Sequence, residues 1–481
     1  MPQAPVAADQ RYRSLAMFVV LMGVMITAVD TTIVVLGLPV MMQRLHSDMV
    51  GMVWVIMAYL LVLTMMTTQL GRFGDMYGRV RMYNVGFAVF TAGSLLCGLA
   101  ASGPQLVAFR VVQGLGGALV SANSGAIIAD TVPPAERGRA YGLVAIGWSV
   151  GAVLGILLGG LIITFFNWRA IFFINVPIGA VGLWMGVRGL RERVHRIAQR
   201  LDLVGTALLG AGLLLVLLAL TDTTGVGFTA TTAAKLAGGV ALLGLLVVWE
   251  RRVASPLLDL GLLRHSVLRA SVLAAFFQSL GGYAVMFLVI MYLQGARGLS
   301  PFVAALVLVP GYVLGGFVAP LAGRLADRAG SRLPVSLGLG LQAVAFLLYA
   351  SLTLGSSVAV VGIAALINGV GNAFFFPANN AAVMANAPPE AYGLASGLLR
   401  TLSNVGMVMS FAVALLAAST GIPRADAFAI FLGVSHLTPA LAQLFLTGLR
   451  SAMLSAISFL VAALALSLVW GSRGAVDAAQ G

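Results

Sequence analysis

An all-α membrane protein with fourteen transmembrane helices is the expectation from this sequence, for three reasons. Of the 481 residues, 60% are hydrophobic and only 9% are charged, whereas soluble domains carry about 25% charge. Fourteen stretches are apolar and long enough to cross the hydrocarbon core as helices, which takes about 20 residues. The chain also repeats its own motifs at a nearly fixed interval. The composition excludes a water-soluble fold and a disordered chain. A single cysteine, Cys97, permits no internal disulfide framework. The histidines His46, His195, His265 and His436 are scattered, so the usual histidine-based metal motifs are absent and no metal is expected. No Gly-x4-Gly-Lys-Ser/Thr loop occurs, which argues against an ATP motor on this chain. The net charge of +13 does not mark a nucleic-acid binder, because the arginines flank apolar runs as membrane-anchoring charges do.

The spans run approximately over 14–38, 51–70, 82–101, 105–129, 140–165, 170–190, 203–221, 232–249, 268–293, 302–322, 334–354, 358–384, 394–418 and 448–470. The first is too long for a signal peptide and contains Asp30, so it reads as a span. Placing the N-terminus inside puts 20 of the 28 basic residues in the cytoplasm; six fall outside, and Arg110 and Arg400 lie within spans. That bias predicts both termini on the cytoplasmic side. The one long connection, 419–447, mixes prolines and charges around an apolar middle. It reads as an external hairpin or short amphipathic helices, with a surface loop or a functional cap both open.

Three motifs recur in order. Gly71, Arg72, Asp75 and Gly78, with Arg79 following, match Gly323, Arg324, Asp327 and Gly330. Gln113, Gly114 and Gly116 match Asn368, Gly369 and Gly371. Pro133 and Pro134 before Tyr141 match Pro388 and Pro389 before Tyr392. The offsets stay between 251 and 255 residues, so the two halves share an ancestor and a fold. Duplicated halves are the plan of many secondary transporters. With these motifs the chain resembles the major facilitator superfamily, and its two unmatched helices resemble the fourteen-helix drug:proton antiporter branch. The resemblance implies spans arranged six, two and six. The expected division is 1–202 for an N-terminal six-helix bundle, 203–266 for two inserted helices and 267–481 for a C-terminal six-helix bundle.

The stretch from Gly71 to Arg81 reads as a loop of about ten residues whose glycines allow a tight turn. Asp75 would then lie near the start of the third span, where a helix dipole favours a carboxylate. The resemblance implies a gating latch here, made by Gly71, Asp75, Gly78 and Arg79, with Gly323 and Asp327 as the second copy. The bland alternative is a topogenic turn.

Asp30 is the only acid well inside a span. A carboxylate there costs about 3 kcal/mol on insertion scales, so it is usually functional. Arg110 in the fourth span is its natural partner. Burial favours a neutral carboxyl and a nearby arginine favours a carboxylate, so the two effects oppose and modest motion switches the proton. The resemblance implies proton coupling by Asp30, Arg110 and Gln113. A permanent structural ion pair is the alternative. In the fifth span, Gly151, Gly155 and Gly159 recur four apart and permit close helix approach. They resemble the superfamily's antiporter motif, although Ile156 stands where that motif has a proline. The second half has Ala365 in place of Arg110, and asparagines instead. Substrate contacts are therefore expected from Gln278, Tyr283, Met286, Asn368, Asn372 and Phe376, with ordinary packing as the alternative for each.

These readings together predict a monomeric secondary transporter of the bacterial inner membrane, using protons as coupling ion and no cofactor. Its expected work is export of lipophilic or cationic compounds by alternating access. A lipid or lipid-conjugate transporter, or an exporter of one specific antibiotic or metabolite, suits the same residues. A membrane enzyme needs clustered acids or histidines, and the spans contain none. A channel lacks support, because no ring of charge or filter-like loop is present.

Overall fold

The structure is a computed structural model that describes residues 6–133, 136–192, 201–253, 256–387, 392–419 and 439–469. Among the described residues there is no strand, and fourteen helical segments are long and apolar enough to cross a membrane. In chain order the helices are α1 (Val6–Arg44), α2 (Met49–Tyr77), α3 (Arg79–Leu99), α4 (Gly103–Thr131) and α5 (Arg137–Phe165). A short α6 (Ala170–Phe173) and α7 (Asn175–Gly189) together form the sixth span. Next come α8 (Leu203–Val226), α9 (Ala230–Glu250), α10 (Ser266–Met291), α11 (Pro301–Ala329), α12 (Arg332–Ala350), α13 (Val358–Ala385), α14 (Tyr392–Ser419) and α15 (Pro439–Val469).

Two expectations about connections are corrected. The stretch 71–81 is not a ten-residue loop, because α2 continues to Tyr77 and α3 begins at Arg79. Gly78 alone breaks the helix, with φ of 110°, a backbone conformation that side chains disfavour. Its repeat counterpart Gly330 also has positive φ, 75°, and ends α11. Likewise the last span starts at Pro439 rather than 448, proline being suited to a first helical turn. The rest of the expected external segment, 420–438, lies outside the described residues.

The chain divides into two compact units, Met1–Ser47 with Gly51–Leu203, and Asp48–Val50 with Val204–Gly481. The first unit carries α1 to α7 and the second α8 to α15. Within the first, α1 packs on α5 and α7, and α3 packs on α4 and α7. Within the second, α10 packs on α14 and α15, and α12 packs on α13 and α15. The sequence repeat is therefore a repeat of helix pairing. In the second unit α8 and α9 form a close hairpin, where a Cβ at Gly239 would come within 2.8 Å of the Gly212 carbonyl oxygen.

Glycines set the tightest crossings, and these too occur in pairs. A Cβ at Gly86 would lie 2.9 Å from the Val120 nitrogen, and one at Gly338 would lie 2.7 Å from the Phe375 nitrogen. Gly151 faces the Met25 carbonyl at 2.9 Å by the same measure, and Gly406 meets the Phe276 carbonyl. Gly114 faces the Tyr59 carbonyl at 3.1 Å, and Gly369 meets the Gly311 carbonyl. Small residues at such crossings let backbones approach where lipid offers no hydrophobic drive for association.

Along α5, Gly151, Gly155 and Gly159 all face α1, at Met25, Val29 and Ile33. Gly142, near the start of the same helix, has nothing within 4 Å of where its Cβ would lie. Gly151→Ala should therefore destabilise the purified protein by about 1–3 kcal/mol, the usual cost of overpacking. Gly142→Ala should be neutral or stabilising, as alanine is the better helix former. Thermal melting in detergent checks the opposite signs of these chemically identical changes.

Candidate functional site

The face of α1 opposite its α5 contact carries Asp30. Asp30 is fully buried, and Arg110 of α4 is 1% exposed. Arg110 Nη1 donates to Asp30 Oδ2 at 2.6 Å and to Gln113 Oε1 at 2.7 Å. Gln113 Nε2 donates to Asp30 Oδ1 at 2.8 Å, and Asn175 Nδ2 donates to the same oxygen at 3.2 Å. Arg110 Nε donates to the Val55 carbonyl at 3.0 Å, and its guanidinium lies 4.3 Å from the centre of the Tyr59 ring. The structure thus brings together the three residues expected for proton coupling, with both charges paired as buried charges must be.

The surrounding helices hold this cluster in place. A Cβ at Gly93 of α3 would sit 2.7 Å from the Gln113 nitrogen, so α3 presses directly on the Gln113 backbone. One turn along α3, the Cys97 thiol lies 3.5 Å from Gln113 Oε1. Ser94 donates to the Phe172 carbonyl at 2.9 Å and receives an Asn175 amide hydrogen at 3.2 Å. Asn175, Tyr59 and Ser94 are participants that sequence reasoning missed. Asn175 opens α7 inside the expected span 170–190, where the sequence assigned it no role. Tyr59 stands in an unbroken apolar run, where nothing marks an aromatic ring for a charged partner.

Chemically the cluster is a buried acid that accepts three hydrogen bonds, one from a guanidinium and two from neutral amides. Removing one partner from a buried pair costs about 3–5 kcal/mol, because the other charge is left uncompensated.

At the end of the unit where α2 meets α3, Arg79 bridges two acids. Its Nε and Nη2 each donate to Asp75 Oδ1 at 2.7 Å, and its Nη1 donates to Asp130 Oδ1 at 2.6 Å. Arg79 therefore ties the last turn of α2 to the last turn of α4. Asp75 does not cap α3, contrary to expectation, because α2 continues past it. The carboxylate at the α3 N-terminus is Glu192, which accepts from the Arg81 and Val80 amides at 3.1 and 3.5 Å. Asp130 and Glu192 were missed because each lies far from the motif in sequence. Gly71 lies within α2. In the second unit Gly323 lies inside α11 with open space around it, so it makes no counterpart turn. The side chain of Asp327 lies outside the described residues.

The second unit gathers three of the six residues expected to contact substrate. Gln278 Nε2 donates to Gln342 Oε1 at 2.9 Å and to Asn372 Oδ1 at 3.2 Å. Asn372 Nδ2 donates to the Asn368 carbonyl at 3.0 Å and to Asn368 Oδ1 at 3.3 Å. Gln342 of α12 was missed, being a lone glutamine outside every repeated motif. Among the described residues no hydrogen bond joins Tyr283, Met286 or Phe376 to these amides. Met286 sulfur accepts from the Tyr312 hydroxyl at 3.0 Å, and Phe376 stacks edge-on against the buried Phe375 at 5.5 Å.

The family model of the Major Facilitator Superfamily matches residues 20–411. The multidrug resistance protein Stp of Mycobacterium tuberculosis (strain CDC 1551 / Oshkosh) is 32% identical over 82% of this chain and 73% of its own. The tetracenomycin C resistance and export protein of Streptomyces glaucescens is 31% identical over 82% of this chain and 74% of its own. Among solved structures, a bacterial homologue of the human lysosomal transporter Spinster, inward-facing and unoccupied, matches with a TM-score of 0.69. That match covers 97% of both chains at 19% identity and speaks to the fold alone. The chain is thus a multi-pass membrane transporter rather than an enzyme, and it belongs to the major facilitator superfamily.

Proposed function

We propose that the protein is a proton-driven exporter of lipophilic, often cationic, compounds, working by alternating access as a monomer in the bacterial inner membrane with both termini cytoplasmic. The observation that carries this reading is the fully buried Asp30, held by Arg110, Gln113 and Asn175. Relatives named for multidrug resistance and for antibiotic export support the direction and the cargo. In the proposed cycle Asp30 loses its proton to the cytoplasm and substrate binds the deprotonated carrier. After the conformational change, substrate leaves outward and a proton returns to Asp30. Gln113, bonded to both Asp30 and Arg110, lets the pair loosen without leaving either partner bare. The Arg79 bridge between Asp75 and Asp130 acts as a latch in one of the two end states.

Purified wild type in weak buffer should release protons when lipophilic compounds are added, and its affinity for them should rise with pH. Asp30→Asn should release none and bind with an affinity independent of pH. Equal proton release by the two proteins would overturn the coupling role.

The latch residues are about one-fifth exposed, so each acid should contribute on the order of 1 kcal/mol. Asp130→Asn should slow transport into inverted vesicles several-fold while substrate affinity in detergent stays unchanged. An altered affinity with normal turnover would place Asp130 outside the gating step.

A further inference from the structure

The amide cluster of the second unit is incomplete on its own. Gln278 and Gln342 are 2% and 0% exposed. Both amide hydrogens of Gln278 are used, towards Gln342 Oε1 and Asn372 Oδ1. Gln278 Oε1 and Gln342 Nε2 have no hydrogen-bond partner. Turning both side-chain amides over still leaves one acceptor and one donor of the pair unmet, and it also sets Gln278 Oε1 against Asn372 Oδ1. Buried polar groups are normally satisfied, because an unmet one costs about 1–3 kcal/mol. Beside the pair stands Gly282, one helical turn from Gln278 on the same face of α10. A Cβ there would lie 3.3 Å from Gln278 Nε2 and 3.9 Å from Gln342 Oε1, the two atoms that bond each other, so the missing side chain leaves room over that bond. Asn368 and Asn372 flank it, both half-buried. The same face of α10 continues to Met286, which carries the Tyr312 hydroxyl at 3.0 Å. Every side chain named here is uncharged.

We infer that this cluster is a neutral subsite for a substrate group that presents a hydrogen-bond donor and an acceptor side by side, such as a lactam or imide, whose ring holds the N–H and the carbonyl on one edge. The ligand N–H is taken by Gln278 Oε1 and the ligand carbonyl by Gln342 Nε2, with Met286 and Tyr312 along the apolar part. This deepens the export reading and rests on it, since it specifies what the exported compounds share besides lipophilicity. A site with unmet polar groups discriminates strongly against a ligand that lacks the matching group.

The experiment pairs one ligand change with one protein change. Phenanthridin-6(5H)-one, a lipophilic lactam, and its N-methyl derivative, which lacks the N–H but keeps the ring geometry, are titrated into purified full-length protein. The protein is wild type, Gln278→Met or Gln342→Met. Tetraphenylphosphonium, a cation without hydrogen-bonding groups, is titrated alongside to verify the folded state. Wild type should favour the N–H lactam about tenfold, within the range expected for one unmet group. In Gln278→Met that preference should collapse to within about twofold while tetraphenylphosphonium binding persists. Gln342→Met should weaken both amides alike. A wild type that does not distinguish the two amides, or a preference that survives Gln278→Met, overturns the subsite and leaves the glutamines as core polar packing or the seat of a resident water. Proton release with tetraphenylphosphonium separates this failure from that of the export reading, because it depends on Asp30 and not on the glutamines.

Discussion

A carboxylate and a guanidinium lie together in the interior of the first unit, neither with meaningful access to water, and the surrounding helices are arranged so that neither is left unpaired. α1 supplies Asp30, α4 supplies Arg110 and Gln113, α7 supplies Asn175, and α2 supplies a carbonyl and the Tyr59 ring. Such a convergence demands that these backbones come close. The glycines supply that closeness, with α5 pressed on α1 behind Asp30 and α3 pressed on Gln113. The packing of the bundle and the chemistry of the cluster are thus two sides of one arrangement. Loosening the glycine crossings would lengthen hydrogen bonds that a buried charge cannot do without.

The second unit repeats the helix pairing and the glycine crossings but has no counterpart of the Asp30–Arg110 pair, Ala365 standing in the place of Arg110. Where the first unit has an ion pair, the second has an ensemble of neutral amides on α10, α12 and α13. The two units therefore offer different chemistry on one frame. One is built around a buried ion pair. The other is built around groups that can only donate or accept hydrogen bonds. That division of labour is what the proposed carrier requires, since a coupling ion and a cargo need recognition by different means.

Much of this was legible in the sequence, and the reasons are physical. Apolar runs of membrane length are unmistakable, so fourteen helices were expected in the order in which they occur. A lone acid inside such a run is expensive enough to mark itself, and so is a lone arginine, which is why Asp30 and Arg110 could be paired before any geometry was known. What escaped were partners whose sequence context is ordinary. Tyr59 sits among apolar neighbours, Asp130 in the last turn of α4 and Glu192 past the end of α7 lie far from the motif they serve, and Gln342 belongs to no repeat. The glycine-rich stretch at 71–81 misled in the other direction. Glycines suggest a loop, but inside a membrane bundle most of them serve packing, and only Gly78 takes a backbone conformation that needs one.

The crossings at Gly86, Gly114 and Gly151, and at their counterparts Gly338, Gly369 and Gly406, are contacts between backbone atoms or against them. Backbone is chemically the same at every position, so these junctions impose no requirement on what the helices display elsewhere. The frame is in that sense indifferent to its cargo. Residues on the displayed faces can be exchanged one at a time, and a new specificity can arise without a new architecture, while the glycines themselves have almost no alternatives. Two copies of such a frame in one chain can drift apart in function while remaining alike in shape.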